Sequence, residues 1–384
     1  MTAIFIMVSL IVSKAQTIDF EQLAQKLVFQ CANIHEGESV IVTGKSGDME
    51  LLEDLAINIR KKGAFPLIVV GSDRLTRRMY TDVPVKYDSQ VSDFDLKLTG
   101  IISAQISLDY SENPALLADI PVERQLAIAK SNQKVSELFR DRKIKLVSLG
   151  NGLYPTEATA KQYGLSLQEL SEIFWNGVNV DYDQLEATGK KVKSTLLEGK
   201  VVEITNPNGT NLKMRIENKP VMVSDGTLSD EDLKGSYADA LVYLPAGEVA
   251  QVTVPGTAEG KVVVDHAYIE GNDIEGLTLI FEKGRLTSMS ALTGIEIFKK
   301  YYDAAESGKE ELSYFDIGIN PNVVIKKGTK LVSWMPAGMV TIAIGGNAYM
   351  GGENNNLFGA AFHLPGCTLK VDGMVLIDNG VLKK

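Results

Sequence analysis

Hydrophobic positions in the first half of the chain recur with two alternating periods. From Asp19 to Ala32, residues Phe20, Leu23, Leu27 and Val28 fall at helical spacing, which gathers them on one helix face. The stretch ESVIVTGKSGDMELLEDLAINIRKKGAFPLIVVG, residues 38–71, then reads as strand, loop, helix, glycine stop and strand. Val40–Val42 and Pro66–Val70 are short runs rich in β-branched residues. Between them, Met49–Lys62 carries Leu51, Leu52, Leu55 and Ile59 on one face, and Gly63 ends it. Such a unit implies a parallel sheet with a right-handed crossover. The pattern continues through LTGIISAQIS, a helical stretch 122–141 and KIKLVSLGN. Residues 17–190 are therefore expected to form an open α/β domain with a mainly parallel sheet.

Past about residue 190 the pattern changes to strict alternation. KVVEITNPNGTNLKMRIENKP reads as two strands around an Asn-Gly turn, a strong hairpin signal. More short strands follow, among them ADALVYLPAGEVAQVTV, GKVVVDHAYI, GLTLIFEKGRLTSMSA, TKLVSWMPAGMVTIAIGG and CTLKVDGMVLIDNGVLKK, and one helix, Ile295–Ser307, interrupts them. Residues 191–384 thus read as a β-rich α+β C-terminal domain, with no internal repeat.

Composition narrows the partners. At 384 residues, 45% hydrophobic and 23% charged, the chain can bury cores of normal size in two domains. A net charge of −10 and the absence of a basic stripe exclude nucleic acid and disfavour an anionic membrane surface. Cys31 and Cys367 are the two cysteines and make no disulfide framework. The first sixteen residues stand apart: Ile4–Val12 is an apolar run too short to span a bilayer, followed by Ser13-Lys14-Ala15. They read as a signal peptide remnant lacking its basic start, which implies a periplasmic or secreted protein. The alternative is an apolar element packed on the domain of a cytoplasmic protein.

Chemistry-bearing motifs are few. TGKSGD at 43–48 suggests a phosphate loop, but Ser39 stands where that motif needs its first glycine. The glycine and amide loop GGENNNLFG, residues 351–359, could hydrogen-bond a ligand, or simply be a polar connection. Cys367, four residues past His363, suggests a thiol–imidazole pair, although a small buried thiol is the commoner role. His35 and His266 have no chemical context and read as structural or surface residues.

The segments GTNLKMRI, LPAGEVAQVTVPGTAEGKVVVD, IEGLTLIFEKGRLTSMSA, FDIGINPNVV, GMVTIAIGGNAYMGG and FHLPGCTLKVDG resemble, in order and spacing, the thermophilic metallo-aminopeptidases of the aminopeptidase T and S type. The resemblance is strong over the C-terminal half and weaker over the α/β half. It implies a β-rich domain holding two divalent metals in an internal cavity, and a homodimer. In that family the ligands are a Glu in a P-x-G/E-E-V strand, a Glu before a G-I-G-x-N-P turn, a His before I-A-x-G and an H-x-D pair, with a Tyr close by.

Transferred position by position, Glu248 in PAGEV matches the first Glu and His363 in HLPG matches the late His. Tyr314 stands at the second Glu position, Thr341 at the first His position and Pro365 at the Asp position; Tyr349 is the counterpart of the Tyr, shifted by one residue. A lasting zinc or cobalt site needs about three protein ligands, proline has no donor, and neutral Tyr or Thr are poor ligands. The resemblance therefore implies a degenerate site, with a peptide or small molecule in the inherited cavity and no required cofactor. Glu248 and His363 are then expected to pair, leaving a protonated imidazole beside a carboxylate. A second arrangement is open. Asp316 follows Tyr314 by two residues and shares its strand face, about 7 Å further along, so Glu248, Asp316 and His363 could hold one zinc or cobalt ion in a metal-dependent hydrolase.

Overall fold

A computed structural model describes residues 18–269 and 272–383; the leader Met1–Ala15, and with it the signal-peptide expectation, lies outside the described residues. The first elements follow the periodicity closely. Asp19 caps a helix, Phe20–Lys26, whose last turns widen into a π-helix, Leu27–Cys31, burying Leu23, Leu27 and Val28. Strands β1 (Ser39–Lys45) and β2 (Phe65–Gly71) flank the helix Met49–Lys61, and Gly63 adopts φ +76° to end that turn. Strands β3 (Ala104–Leu108) and β4 (Lys145–Leu149) follow, separated by the helix Val122–Asp141.

After a helix Tyr182–Glu198 the chain enters strands β5 (Val201–Thr205), β6 (Asn211–Arg215) and β7 (Val221–Ser224). It then returns as β8 (Leu241–Leu244), which joins β4 in parallel and completes a five-stranded sheet in the order β2-β1-β3-β4-β8. All its pairings are parallel, as the strand–helix–strand pattern requires. Residue 190 lies inside the helix Tyr182–Glu198, and β8 belongs to the first sheet, so a single cut at 190 does not describe the chain.

The remaining strands are β9 (Glu248–Val252), β10 (Glu259–Ile269), β11 (Asn272–Glu282), β12 (Arg285–Ser290), β13 (Leu312–Gly318), β14 (Val340–Gly345), β15 (Gly359–Leu364), β16 (Thr368–Val371), β17 (Met374–Asp378) and β18 (Val381–Leu382). They build two antiparallel sheets. One has the order β12-β11-β10-β6-β5-β16-β17-β18 and contains the expected β5–β6 hairpin, closed by Gly209 at φ +104°. The other has the order β15-β14-β13-β9-β7. Its strands β9 and β14 are buried along their whole length, so their polar side chains must find partners inside the protein. The fold is thus an α/β domain with a parallel sheet followed by a β-rich domain. Among the described residues no helix is long and apolar enough to cross a membrane.

Candidate functional site

Register in the five-stranded antiparallel sheet decides which polar side chains meet. Glu248 on β9 lies opposite Gly318 on β13, and Asp316 lies opposite Ala250, one diagonal step away. Asp316 also faces Thr341 on β14, and Thr341 faces His363 on β15. Directly opposed residues share a sheet face, and so do residues two apart on one strand. Glu248, Tyr314, Asp316, Thr341 and His363 therefore project to one side.

That side bounds a cavity of about 230 Å³. Glu248, Tyr314, Asp316, Thr341 and Tyr349 all line it, as do Asn151, Tyr243 and Trp334. The last three escaped the sequence reading. Tyr243 belongs to β8 of the parallel sheet, and Asn151 to the loop after β4, so both arrive from the other domain. A weak signal existed in ALVYLPAGEV, where Tyr243 stands five residues before Glu248. A larger hollow of about 560 Å³ lies elsewhere, among Lys130, Arg285 and the 353–358 loop, and none of these residues lines it.

The central feature is a carboxyl pair. Glu248 and Asp316 are buried, with 7% and 3% of their surface exposed, and their carboxyl groups lie side by side, close enough to share a proton. Burial pushes Glu248 up to about 7. It raises Asp316 well above the usual carboxylate range, and the neighbouring Glu248 raises it further, as expected when like charges share a dry site. Asp316 Oδ1 is buried and has no hydrogen-bond partner among the described residues.

Around the pair stand neutral hydroxyls. Tyr314 and Tyr349 meet edge to face at 6.4 Å between ring centres. Burial raises both phenols above their ordinary value, so neither ionises near neutral pH.

The expected pairing of His363 with Glu248 is not formed. Glu248 takes Asp316 as its partner, while His363 Nδ1 lies 2.9 Å from Thr341 Oγ1 and its ring tilts over Trp334 at 5.4 Å. Burial drives the imidazole down to about 4, so it is neutral rather than protonated near neutral pH. Nor do Glu248, Asp316 and His363 gather as a ligand trio. Among the described residues no group of three or more His, Cys, Asp or Glu side chains is placed to hold a metal ion. Pro365 falls in the turn after β15, where its carbonyl accepts a hydrogen bond from Asn206.

The remaining candidates resolve as structure. Cys367 is buried, its Sγ lies against Asn206 Nδ2 rather than His363, and its thiol is pushed up to about 11. His266 pairs with Asp273 at 2.8 Å, and His35 lies 3.4 Å from Asp230. In the 351–359 loop, Asn354 and Asn356 turn their amides onto the carbonyls of Gly308, Glu306 and Ser307, so these groups hold the loop together.

Residues 16–323 match the sequence model of a family described as thermophilic metalloprotease (M29). The chain belongs to that family. Among solved structures it is similar to wild-type AmpT from Thermus thermophilus, with a TM-score of 0.73 at 17% identity over 95% of this chain and 99% of that one. It is also similar to 2,5-dihydroxypyridine dioxygenase from Pseudomonas putida KT2440, with a TM-score of 0.59 at 12% identity over 95% and 96% of the two chains. At these identities the likeness is one of fold, and the fold does not dictate the chemistry. No curated protein sequence matches the chain.

Proposed function

We propose that this chain is a metalloprotease-family homologue without the paired-metal site, which binds a small molecule or short peptide in the cavity and does not turn over aminopeptidase substrates. The observation that carries this reading is the donor set of the cavity: Tyr314 and Thr341 stand in its wall beside Glu248 and Asp316, and His363 turns to Thr341. Apart from the carboxyls, these donors do not suit two divalent ions. Tyr314 and Tyr349 are held as neutral phenols, Thr341 is engaged with His363, and Pro365 has no donor group. The family resemblance further suggests a homodimer.

The second reading is a hydrolase using a single zinc or cobalt ion at Glu248, Asp316 and His363. The adjacency of the two carboxyls favours it, and the turn of His363 toward Thr341 opposes it. Elemental analysis of the purified chain, combined with leucine-amide hydrolysis with and without added cobalt, separates the two. The expected result is far less than one metal per chain and no turnover in either condition. Near-stoichiometric zinc or cobalt, with turnover that Glu248→Ala abolishes, would establish the second reading instead.

A further inference from the structure

The cavity sets two buried carboxyl groups in its wall with no cationic side chain beside them. Asp316 Oδ1 has no hydrogen-bond partner among the described residues. Buried carboxyl oxygens are costly without a donor. The remaining walls are aromatic or apolar: Tyr243, Tyr314, Tyr349 and Trp334 supply rings, while Met222 and Met350 supply soft apolar contact. Ring faces attract a cation placed over them, more strongly when it is desolvated. A hydrated divalent metal ion suits neither these rings nor the thioethers.

We propose that the cavity binds a small primary amine, with its ammonium group at Glu248 and Asp316 and its apolar body against Tyr314, Tyr349, Trp334 and Met222. This specifies the ligand class of the function proposed above and rests on that reading. An ammonium group carries three donors. It can therefore supply Asp316 Oδ1 and Glu248 together, and its positive charge compensates the pair in a way that a neutral hydroxyl cannot. Size limits the ligand. The volume of about 230 Å³ falls below the roughly 300 to 1,000 Å³ of pockets for drug-sized ligands. It equals roughly eight waters at about 30 Å³ each, so the body is a short alkyl or arylalkyl group.

The test is calorimetric titration of the full chain with isoamylamine and with its neutral isostere isoamyl alcohol, after metal content has been measured. The amine should bind at least about tenfold more tightly than the alcohol, a difference of about 1.4 kcal/mol. Asp316→Asn and Glu248→Gln should each reduce amine affinity by about tenfold or more. Ala361→Leu should abolish binding by filling space at the cavity wall while leaving both carboxyls in place, and the melting curve of each variant reports folding. Equal affinity for amine and alcohol, or no binding of either to a folded, metal-free chain, would overturn the amine assignment and leave the metal-free reading standing. Tightly bound zinc or cobalt that excludes the amine would overturn both.

Discussion

Single residues in this site can be read through pH. Glu248 is raised to about 7 from its ordinary 4.5, so the folded state holds a proton that the unfolded state releases. Its stabilising contribution is complete below about pH 4.5 and disappears as the pH rises through 7. Asp316 is raised further and acts in the same direction. His363 runs oppositely: lowered from 6.5 to about 4, it stabilises above pH 6.5, and that contribution is lost as the pH falls toward 4. Between about 4.5 and 6.5 the Glu248 and His363 slopes have opposite signs. Urea unfolding across this range should show the Glu248→Gln variant gaining stability as pH rises and His363→Gln losing it. At pH 8 Glu248→Gln should be more stable than the parent, which there has to ionise a buried carboxyl group. Identical slopes in both variants would show that neither group titrates as described. The family resemblance led to the expectation that Glu248, Tyr314, Thr341 and His363 share one cavity; the first three line it, and His363, on the same sheet face, does not. The identity of Glu248's partner was not legible in the sequence. It depends on register, which places Glu248 opposite Gly318, whose missing side chain leaves the diagonal neighbour Asp316 within reach.

At the level of elements, period was a reliable guide and connectivity was not. The helix Val122–Asp141 and the β5–β6 hairpin stand where alternation and turn residues put them. The run ALVYLPAGEVAQV gave no sign that its halves separate, since both are apolar and flanked by similar residues. Leu241–Leu244 joins the parallel sheet and Glu248–Val252 the antiparallel one, a long-range pairing that no local pattern encodes. Gly318 is a glycine of the G-I-G-x-N-P motif, whose pattern alone does not say what crosses it. A Cβ there would lie 2.2 Å from the Pro336 carbonyl oxygen and 2.3 Å from that of Trp334. The segment 334–339 crosses β13 at this point, bonded through Gly318 N–H to Met339 O and Gly338 N–H to Gly318 O, both at 2.9 Å. It carries Trp334 into the cavity wall. Gly318→Ala should lift this strap, cost at least about 2 kcal/mol as overpacking does and weaken amine binding. Gly47→Ala, whose Cβ would meet nothing within 4 Å, should stay within about 0.5 kcal/mol of the parent. Thermal melts of both variants decide the point: equal stability would mean the strap yields freely and close approach does not position Trp334.

For the whole molecule, the open question is what covers the edge of the parallel sheet. Strand β2 ends the order β2-β1-β3-β4-β8, so among the described residues no strand pairs with its outer side. Phe65, Leu67 and Val69 alternate along it and are 57%, 47% and 42% exposed, which puts three large apolar side chains on one face. Leu67 lies beside Ile41 of β1, yet Ile41 is buried in a cluster with Ile102 and Ile144, against which Leu98 and Phe139 pack. The covering layer stops one strand short. An apolar edge of this kind invites pairing with another strand, and the same edge on a second copy, related by a two-fold axis, is self-complementary. Seven residues give a seam of about 23 Å at 3.3 Å per residue, and two five-stranded sheets joined antiparallel through β2 would form one continuous sheet. We propose this edge as the contact of the homodimer that the family resemblance suggests. Light scattering after size exclusion should give twice the chain mass for the parent. The Leu67→Lys, Val69→Lys double variant should run as a folded monomer, because two buried charges at the seam would lack partners. A parent that is monomeric at every concentration tested, or a double variant that remains dimeric, would place the contact between copies elsewhere or remove it.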